Sequence, residues 1–144
     1  MTIILRGVEK FVGAVDMKVE QMRRATIAAT AKALHLIERR AKQNLGLKSH
    51  KEGTPTPSAP GEPPALISGN LRRSITVAGP DAVTANSWRG QVGPTAVYGR
   101  IQELGGPTGH GVLPARPYLT PAYDDSKEEI RAIFEAAWTK AILE

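Results

Sequence analysis

The stretch from Tyr98 to Tyr123, YGRIQELGGPTGHGVLPARPYLTPAY, organises the predicted fold of this chain. Its first apolar residues, Tyr98, Ile101 and Leu104, lie three apart, which predicts a short helical segment with these side chains on one face. A glycine-rich break follows, and the prolines around it prevent the helix from continuing. Pro121 suits the first turn of a new helix, where its missing N–H costs nothing. The stretch therefore predicts a short helix, a glycine loop, an extended segment and the start of the last helix.

A long helix is predicted upstream of this stretch. Apolar residues between Met17 and Leu45 recur at spacings of three and four, which is the pattern of an amphipathic helix. Asp16 suits its N-cap and Gly46 its C-cap. Such a helix would be about 40 Å long, so we expect part of it to pack against another subunit. The alternative is that it lies across its own sheet for most of its length.

Shorter elements complete the predicted architecture. Residues 8–15 are ambiguous and are compatible with a short helix, and a turn is expected at Gly79–Asp81. The last helix is expected from Thr120 or Pro121 to Ile142, with an apolar stripe and an acidic first part. Short β-branched runs predict strands at Thr2–Leu5, Ser74–Ala78, Val83–Asn86 and Trp88–Gly93. We therefore expect an α+β fold, in which a long N-terminal helix and a C-terminal helix pack on a small antiparallel sheet.

The length and composition favour one globular domain. The chain has 144 residues, of which 41% are hydrophobic and only 5% aromatic, so its core must consist mostly of aliphatic side chains. It contains no cysteine, which excludes disulfides, thiolate metal sites and thiol catalysis. We expect no membrane span and no secretory signal, because no apolar run is long enough. A single domain over residues 1–144 is the expectation.

Catalytic and cofactor motifs are not apparent. The three histidines, His35, His50 and His110, show no ligand spacing such as i, i+4. The glycine loop around residues 105–111 lacks the Gly-Lys-Ser/Thr ending of a phosphate-binding loop. We interpret it as a hinge, or as a loop that passes close to another backbone. The carboxylates of Glu103, Asp124 and Asp125 are candidates for acid–base chemistry, but nothing in the sequence pairs them with a pocket, so we expect no enzyme activity, no cofactor and no metal site.

Residues 46–66 are expected to form an extended arm within the domain. Prolines exclude a helix or a central strand there and keep the segment extended, which lowers the entropy lost on docking. We interpret the arm as a segment that lies along a neighbouring protein, with a surface loop that has no partner as the alternative. The candidate interface residues are Pro55, Pro57, Pro60, Pro63 and Pro64.

Charge is distributed unevenly along the chain, whose net charge is +5. Residues 1–51 contain eleven Lys or Arg against four Asp or Glu, whereas residues 123–144 contain three against six. A basic cluster could line a DNA channel or face the acidic last helix of a neighbouring copy. The alternative is a solvated helix end. The cluster consists of Arg39, Arg40, Lys42, Lys48 and Lys51.

Two motifs resemble those of a known family of structural proteins. The first contains Tyr98, Glu103 and Gly105 and continues with Ala115-Arg116-Pro117-Tyr118 and Pro121-Ala122; the second is Ser68-Gly69-Asn70-Leu71-Arg72-Arg73-Ser74-Ile75. In this order they resemble the tail-completion or head–tail joining proteins of long-tailed bacteriophages. The resemblance covers most of the chain. The motif residues that it singles out are Gly69, Leu71, Arg72, Ile75, Tyr98, Glu103, Gly105, Arg116, Pro117, Tyr118 and Pro121.

The resemblance implies a virion protein of the neck or upper tail, assembled in the host cytoplasm. Such a protein would form a ring of several copies, six by analogy, between connector and tail-tube or terminator proteins, with possible non-specific contact to the DNA passing through. A tail terminator that caps the tube is the nearest alternative, and a small basic DNA-associated protein is a second. The chain departs from the family pattern in its longer proline-rich arm and its enlarged glycine loop, where partner contacts would lie.

Overall fold

The computed structural model describes residues 8–53 and 58–144, and the first element of the fold is a long helix. Helix α1, Val8–Asn44, contains 37 residues and is therefore about 55 Å long. It begins earlier than predicted, so Asp16 lies inside the helix and the prediction of an N-cap there was wrong. A single glycine within a helix costs only about 1 kcal/mol, so Gly13 does not end it. The helix stops two residues before Gly46, whose N–H donates to the Gln43 carbonyl at 2.9 Å.

A short helix and a β-hairpin follow the arm. Helix α2 spans Asn70–Ser74, and strands β1 (Ile75–Thr84) and β2 (Ser87–Pro94) pair antiparallel. This region therefore contains two strands where three were predicted, and the prediction of a turn at Gly79–Asp81 was wrong. Those residues lie inside β1, where the register shifts between Ala78 and Asp81.

Gly79 explains why the chain continues through this irregularity. Its φ is +83°, and an added Cβ would lie 2.6 Å from the Arg89 carbonyl oxygen. Only glycine accepts this conformation and this close approach of the partner strand. A Gly-Pro pair, read as a turn signal, therefore marks a bulge.

The stretch from Tyr98 to Tyr123 forms two short helices and two short strands. Helix α3 (Gly99–Leu104) is followed by the small hairpin of β3 (Gly106–Thr108) and β4 (Gly111–Leu113), and helix α4 is Leu119–Asp124. The short helix beginning near Tyr98 is thus confirmed.

The predicted last helix is two helices. Helix α5 spans Lys127–Leu143, and it is separated from α4 at Asp125 and Ser126. Ser126 is fully buried and its hydroxyl donates to the Ala122 carbonyl at 2.6 Å. The Ser126 N–H donates to the Tyr123 carbonyl, three residues back, at 2.9 Å, so the regular i−4 ladder is interrupted at this residue.

The core lies at the C-terminal half of α1. Its buried residues are Ile37, Ala41, Leu45, Ile75, Tyr118 and Ala122, with Leu71, Val92, Leu119 and Ile130 packed against them. The α+β fold, with long N-terminal and C-terminal helices and small antiparallel sheets, is confirmed. None of the described helices is long and apolar enough to cross a membrane. The strand predicted at Thr2–Leu5 lies outside the described residues.

Candidate functional site

Glu103 joins the short helix α3 to the start of α4. Its Oε2 accepts hydrogen bonds from the backbone N–H groups of Tyr118 at 2.8 Å and Leu119 at 2.9 Å, and its Oε1 accepts one from Thr120 at 2.8 Å. The first N–H groups of a helix have no partner within the helix, so this carboxylate serves as a cap supplied from another element. We refer to Glu103 and the residues from Arg116 to Thr120 as the clasp.

The clasp shifts the acidity of two of its groups. Burial alone would raise the pKa of Glu103, but the hydrogen bonds from the starting turn of α4 outweigh it and hold that pKa below its ordinary value. The pKa of Tyr118 is raised, chiefly because its hydroxyl is buried and further because of the Glu103 charge. Glu103 is therefore an ionised structural group, and Tyr118 is a neutral phenol.

Tyr118 anchors the clasp to the core. It is fully buried, and its hydroxyl donates to the Gly99 carbonyl at 3.1 Å. The backbone carbonyl of Tyr118 accepts a hydrogen bond from Asn44 Nδ2 at 2.9 Å. An added Cβ on Gly99 would lie 2.4 Å from Pro94 Cγ, so only glycine fits at this crossing. Tyr118 thus ties the end of α1 to the start of α3.

Gly105 shows the close backbone approach that was expected of the glycine loop. Its φ is +68°, and an added Cβ would lie 2.7 Å from the Ala115 nitrogen. The residues before and after the small hairpin are held together at this point. The loop itself folds as the β3–β4 hairpin.

Arg116 holds the second half of the proline-rich arm against the body of the chain. It is only 7% exposed, and its Nε donates to the Ser58 carbonyl at 2.8 Å. Ser58 is itself buried, and its hydroxyl accepts from the Ala65 N–H at 2.8 Å, while the Gly61 N–H donates to the Ala115 carbonyl at 2.9 Å. This half of the arm therefore packs on its own domain.

The candidate arm residues differ in position. Pro60 is exposed and Pro63 and Pro64 are half-buried, whereas Pro55 and Pro57 lie outside the described residues. A contact of the arm with a neighbouring protein stays a prediction.

The two sequence motifs converge on one cavity of about 390 Å³ beneath the arm. The Ser68–Arg72 segment lines one side, and Tyr98, Gln102 and Arg116 line another. Gln102 Oε1 is buried and has no hydrogen-bond partner among the described residues. Residues 26 to 48 positions apart in sequence therefore form one polar recess, which is the candidate functional site.

The remaining motif residues support this arrangement from the core. Ile75 is 1% exposed and Leu71 packs against the buried cluster. Gly69 has φ +74° and precedes α2, and Pro121 lies in the first turn of α4 as predicted. Pro117 separates Arg116 from Tyr118, whose side chains serve the cavity and the core respectively.

Most of the predicted basic cluster pairs with acids of the same chain. Arg40 Nη2 lies 2.7 Å from a Glu129 oxygen, its Nη1 donates to the Asp125 carbonyl and to the Ser126 hydroxyl, and Arg39 lies 3.9 Å from Glu129. An acidic last helix facing this cluster from a neighbouring copy was one of the alternatives, and the structure places the acidic helix of the same copy against it.

The lysines of the cluster are also engaged. Lys42 pairs with Glu38 at 2.7 Å and Lys48 with Glu62 at 2.6 Å, and Lys51 also makes a polar interaction. These pairs lower the pKa of both carboxyls, that of Glu38 also through a hydrogen bond with His35. The five residues therefore do not form one unneutralised patch.

Several residues of the site carried no signal in the sequence. Asn44, Ser58, Gly99 and Gln102 act through contacts between distant segments, and each is of a common residue type in a degenerate context. Only for Gly99 was a hint present, because a glycine directly before a short helix permits close packing of its backbone.

The described residues contain no group of three or more His, Asp or Glu side chains that could hold a metal ion. The arrangement offers instead a recess with hydrogen-bonding groups and a rigid frame. Comparison with protein-family models, with curated proteins and with solved structures gives no match to this chain.

Proposed function

We propose that this chain is a structural protein of the neck or upper tail of a tailed bacteriophage, where several copies form a ring that completes the tail and joins it to the DNA-filled head. It acts through contact geometry, without catalysis or a cofactor. The proposal starts from the order of the two motifs around Gly69 and Arg116, and these motifs meet at one cavity.

The single observation that best supports an assembly role is the uncovered apolar surface on the N-terminal part of α1. Residues 10–20 are exposed on every side of the helix. Phe11, Val12, Val15 and Val19 lie on one face of it, and Phe11 is 71% exposed. An exposed apolar stripe of this kind is typical of a protein–protein interface.

The end of α5 extends this surface. Lys18 Nζ lies 3.4 Å from the Ala141 carbonyl, so the last turn of α5 lies beside the exposed part of α1. Ile142 and Leu143 in that turn are 61% and 80% exposed. The two helices together present a surface suited to contacts between copies or with neighbouring rings.

A role as a small basic DNA-associated protein is less well supported. Its main feature was the basic cluster, whose members Arg40, Lys42 and Lys48 pair with carboxylates of the same chain at 2.6 to 2.7 Å. A salt titration of duplex binding by the purified chain tests this role, since phosphate contacts weaken steeply with salt.

Electron microscopy of lysates from a phage unable to make this chain tests the proposal. Filled heads beside free tails of normal length are the expected result. Tails of uncontrolled length would instead identify a tail terminator. Normal infectious particles would overturn the proposal.

A further inference from the structure

The cavity beneath the arm contains a buried cation without a carboxylate partner. Arg116 is 7% exposed, and apart from its Nε bond to the Ser58 carbonyl its guanidinium makes no hydrogen bond with the residues that the structure describes. The ion pairs among the described side chains involve neither Arg116 nor Arg72. Buried charges are ordinarily paired, so the cavity has an uncompensated preference for an anion.

The charge of the lining agrees with this preference. Arg116 lies within the cavity, Arg72 lies at its exposed edge, and His50 lines it as well, whereas none of the lining residues is acidic. A second recess adjoins the same segment, and it adds Arg73 and Lys42, of which Lys42 already pairs with Glu38, again with no acidic residue in its lining. The Leu66–Arg73 segment therefore lies between two recesses whose linings contain arginine and no carboxylate.

Two further features favour a peptide over a nucleic acid as the occupant. The lining contains apolar side chains, among them Leu45, Leu66 and Leu71, which suit the side chains of a peptide better than a phosphodiester backbone. A guanidinium recessed beneath the arm is reached by a side chain or an extended segment more readily than by the backbone of a duplex.

We propose that this cavity binds an acidic peptide segment of a partner protein. A carboxylate of the segment pairs with the guanidinium groups of Arg116 and Arg72, and its apolar side chains pack against Leu66 and Leu71 of the lining. Arginine suits this task because its planar group can bind a carboxylate through two parallel hydrogen bonds. This inference deepens the proposed function by naming the chemistry of a partner, and it rests on that function only for the partner's place in the virion.

Fluorescence anisotropy with the purified full chain tests the site directly. The probes are a labelled short peptide of alternating glutamate and leucine, the same peptide with glutamine in place of glutamate, and a labelled short DNA duplex. We expect the glutamate peptide to bind, the glutamine peptide to bind much more weakly, and the glutamate peptide to compete successfully with the duplex. Failure of the glutamate peptide to bind, or tighter binding of the duplex, would overturn the proposal.

One variant locates the binding, and a second serves as the control. Arg72→Gln removes a guanidinium that makes no hydrogen bond or ion pair among the described residues, and it should weaken peptide binding at least about fivefold. Arg131→Gln removes the same charge from the exposed face of α5 and should leave binding unchanged.

Equal binding by Arg72→Gln and the unsubstituted chain, or equal losses in Arg72→Gln and Arg131→Gln, would also overturn the proposal. Because these measurements use the purified chain, the peptide site can fail while the lysates still support a role in the neck. Conversely, the chain can bind the peptide while the lysates contain normal infectious particles, which would overturn only the role in the neck.

Discussion

The carboxylate of Glu103 accepts three backbone hydrogen bonds, all from the starting turn of α4. Glu103→Gln replaces one acceptor oxygen by an NH₂ group, which would face a backbone N–H. We expect this variant to lower the free energy of unfolding by about 1–3 kcal/mol at neutral pH. Urea denaturation measures it, and Glu135→Gln on the exposed face of α5 is the matched control.

The effect of Glu103→Gln should depend on pH in a defined direction. The folded pKa of Glu103 lies below its ordinary value of 4.5, so its stabilising contribution is complete above that value and is lost as the pH falls through the folded pKa. The difference in stability between the unsubstituted chain and Glu103→Gln should therefore shrink in acid. A difference that is constant from pH 7 to acid would contradict the role of the charged form.

Gly99 occupies a position where a single methyl group cannot be added without rearrangement. An alanine Cβ there would lie 2.4 Å and 2.5 Å from two atoms of the Pro94 ring and 3.2 Å from the Tyr118 hydroxyl. Because the proline ring is rigid, we expect Gly99→Ala to destabilise the fold by about 1–3 kcal/mol. Thermal unfolding followed by circular dichroism measures this.

Gly93→Ala is the control for Gly99→Ala. An added Cβ at Gly93 meets nothing within 4 Å, and its φ is not in the left-handed region. We expect its stability to be unchanged or slightly raised, because alanine restricts the unfolded chain. Equal losses in the two variants would show that the crossing at Pro94 does not explain the effect.

At the scale of elements, Arg40 links α1 to the junction of α4 and α5. Its guanidinium contacts the Asp125 carbonyl, the Ser126 hydroxyl and Glu129, and it is about three-quarters buried. We expect Arg40→Gln to lower the free energy of unfolding by about 2 kcal/mol, because several charge-assisted hydrogen bonds are lost together. Hydrogen exchange should show faster opening of α5 amides before the rest of the fold.

Arg39→Gln provides the comparison. Arg39 lies 3.9 Å from the same Glu129 but is 63% exposed, and exposed ion pairs contribute little. We expect a change within about 0.5 kcal/mol. If the two substitutions destabilise α5 equally, the loss of stability comes from the net charge of α1 and not from the contacts of Arg40.

The elements show how far the sequence could predict the fold. Periodicity identified α1 and the apolar stripe of α5 because these helices bury one face against each other. It did not identify the break at Ser126, a polar residue that tertiary packing buries completely, nor the bulge at Gly79, which depends on the partner strand. Local signals specify that the chain changes direction, and long-range contacts decide how.

The candidate site was predictable to a smaller extent. The motifs drew attention to Arg72, Glu103, Arg116 and Tyr118, but nothing local indicated that Glu103 caps α4 or that Arg116 reaches the arm. Likewise, the pairing of Arg40 with Glu129 joins residues 89 positions apart. Such contacts follow from the tertiary arrangement, which spacing in the sequence does not encode.

At the scale of the whole molecule, one end is buried and the other is open. The core residues gather around the C-terminal half of α1, whereas residues 10–20 of the same helix are exposed all round. This segment continues a helix that the packed half of α1 already nucleates, so it needs no partner to form. Its apolar stripe is nevertheless the part of α1 that would gain most from packing against another surface.

We therefore expect the purified chain to self-associate through this end of α1. The double substitution Phe11→Glu and Val15→Glu places two charges on the stripe, and charges are depleted at interface cores because their burial is costly. Size-exclusion chromatography with light scattering should show a shift of the oligomer toward the monomer. Circular dichroism should show a loss of helical signal no larger than that of residues 10–20.

Met17→Glu is the control for this double substitution, because Met17 is 66% exposed and lies on the opposite side of the helix from Phe11 and Val15. It should leave the oligomer intact. An unsubstituted chain that stays monomeric across the accessible concentrations would contradict self-association. An equal loss of mass from Met17→Glu would show that charge anywhere on this segment disrupts assembly, and the apolar stripe would then not be the contact surface.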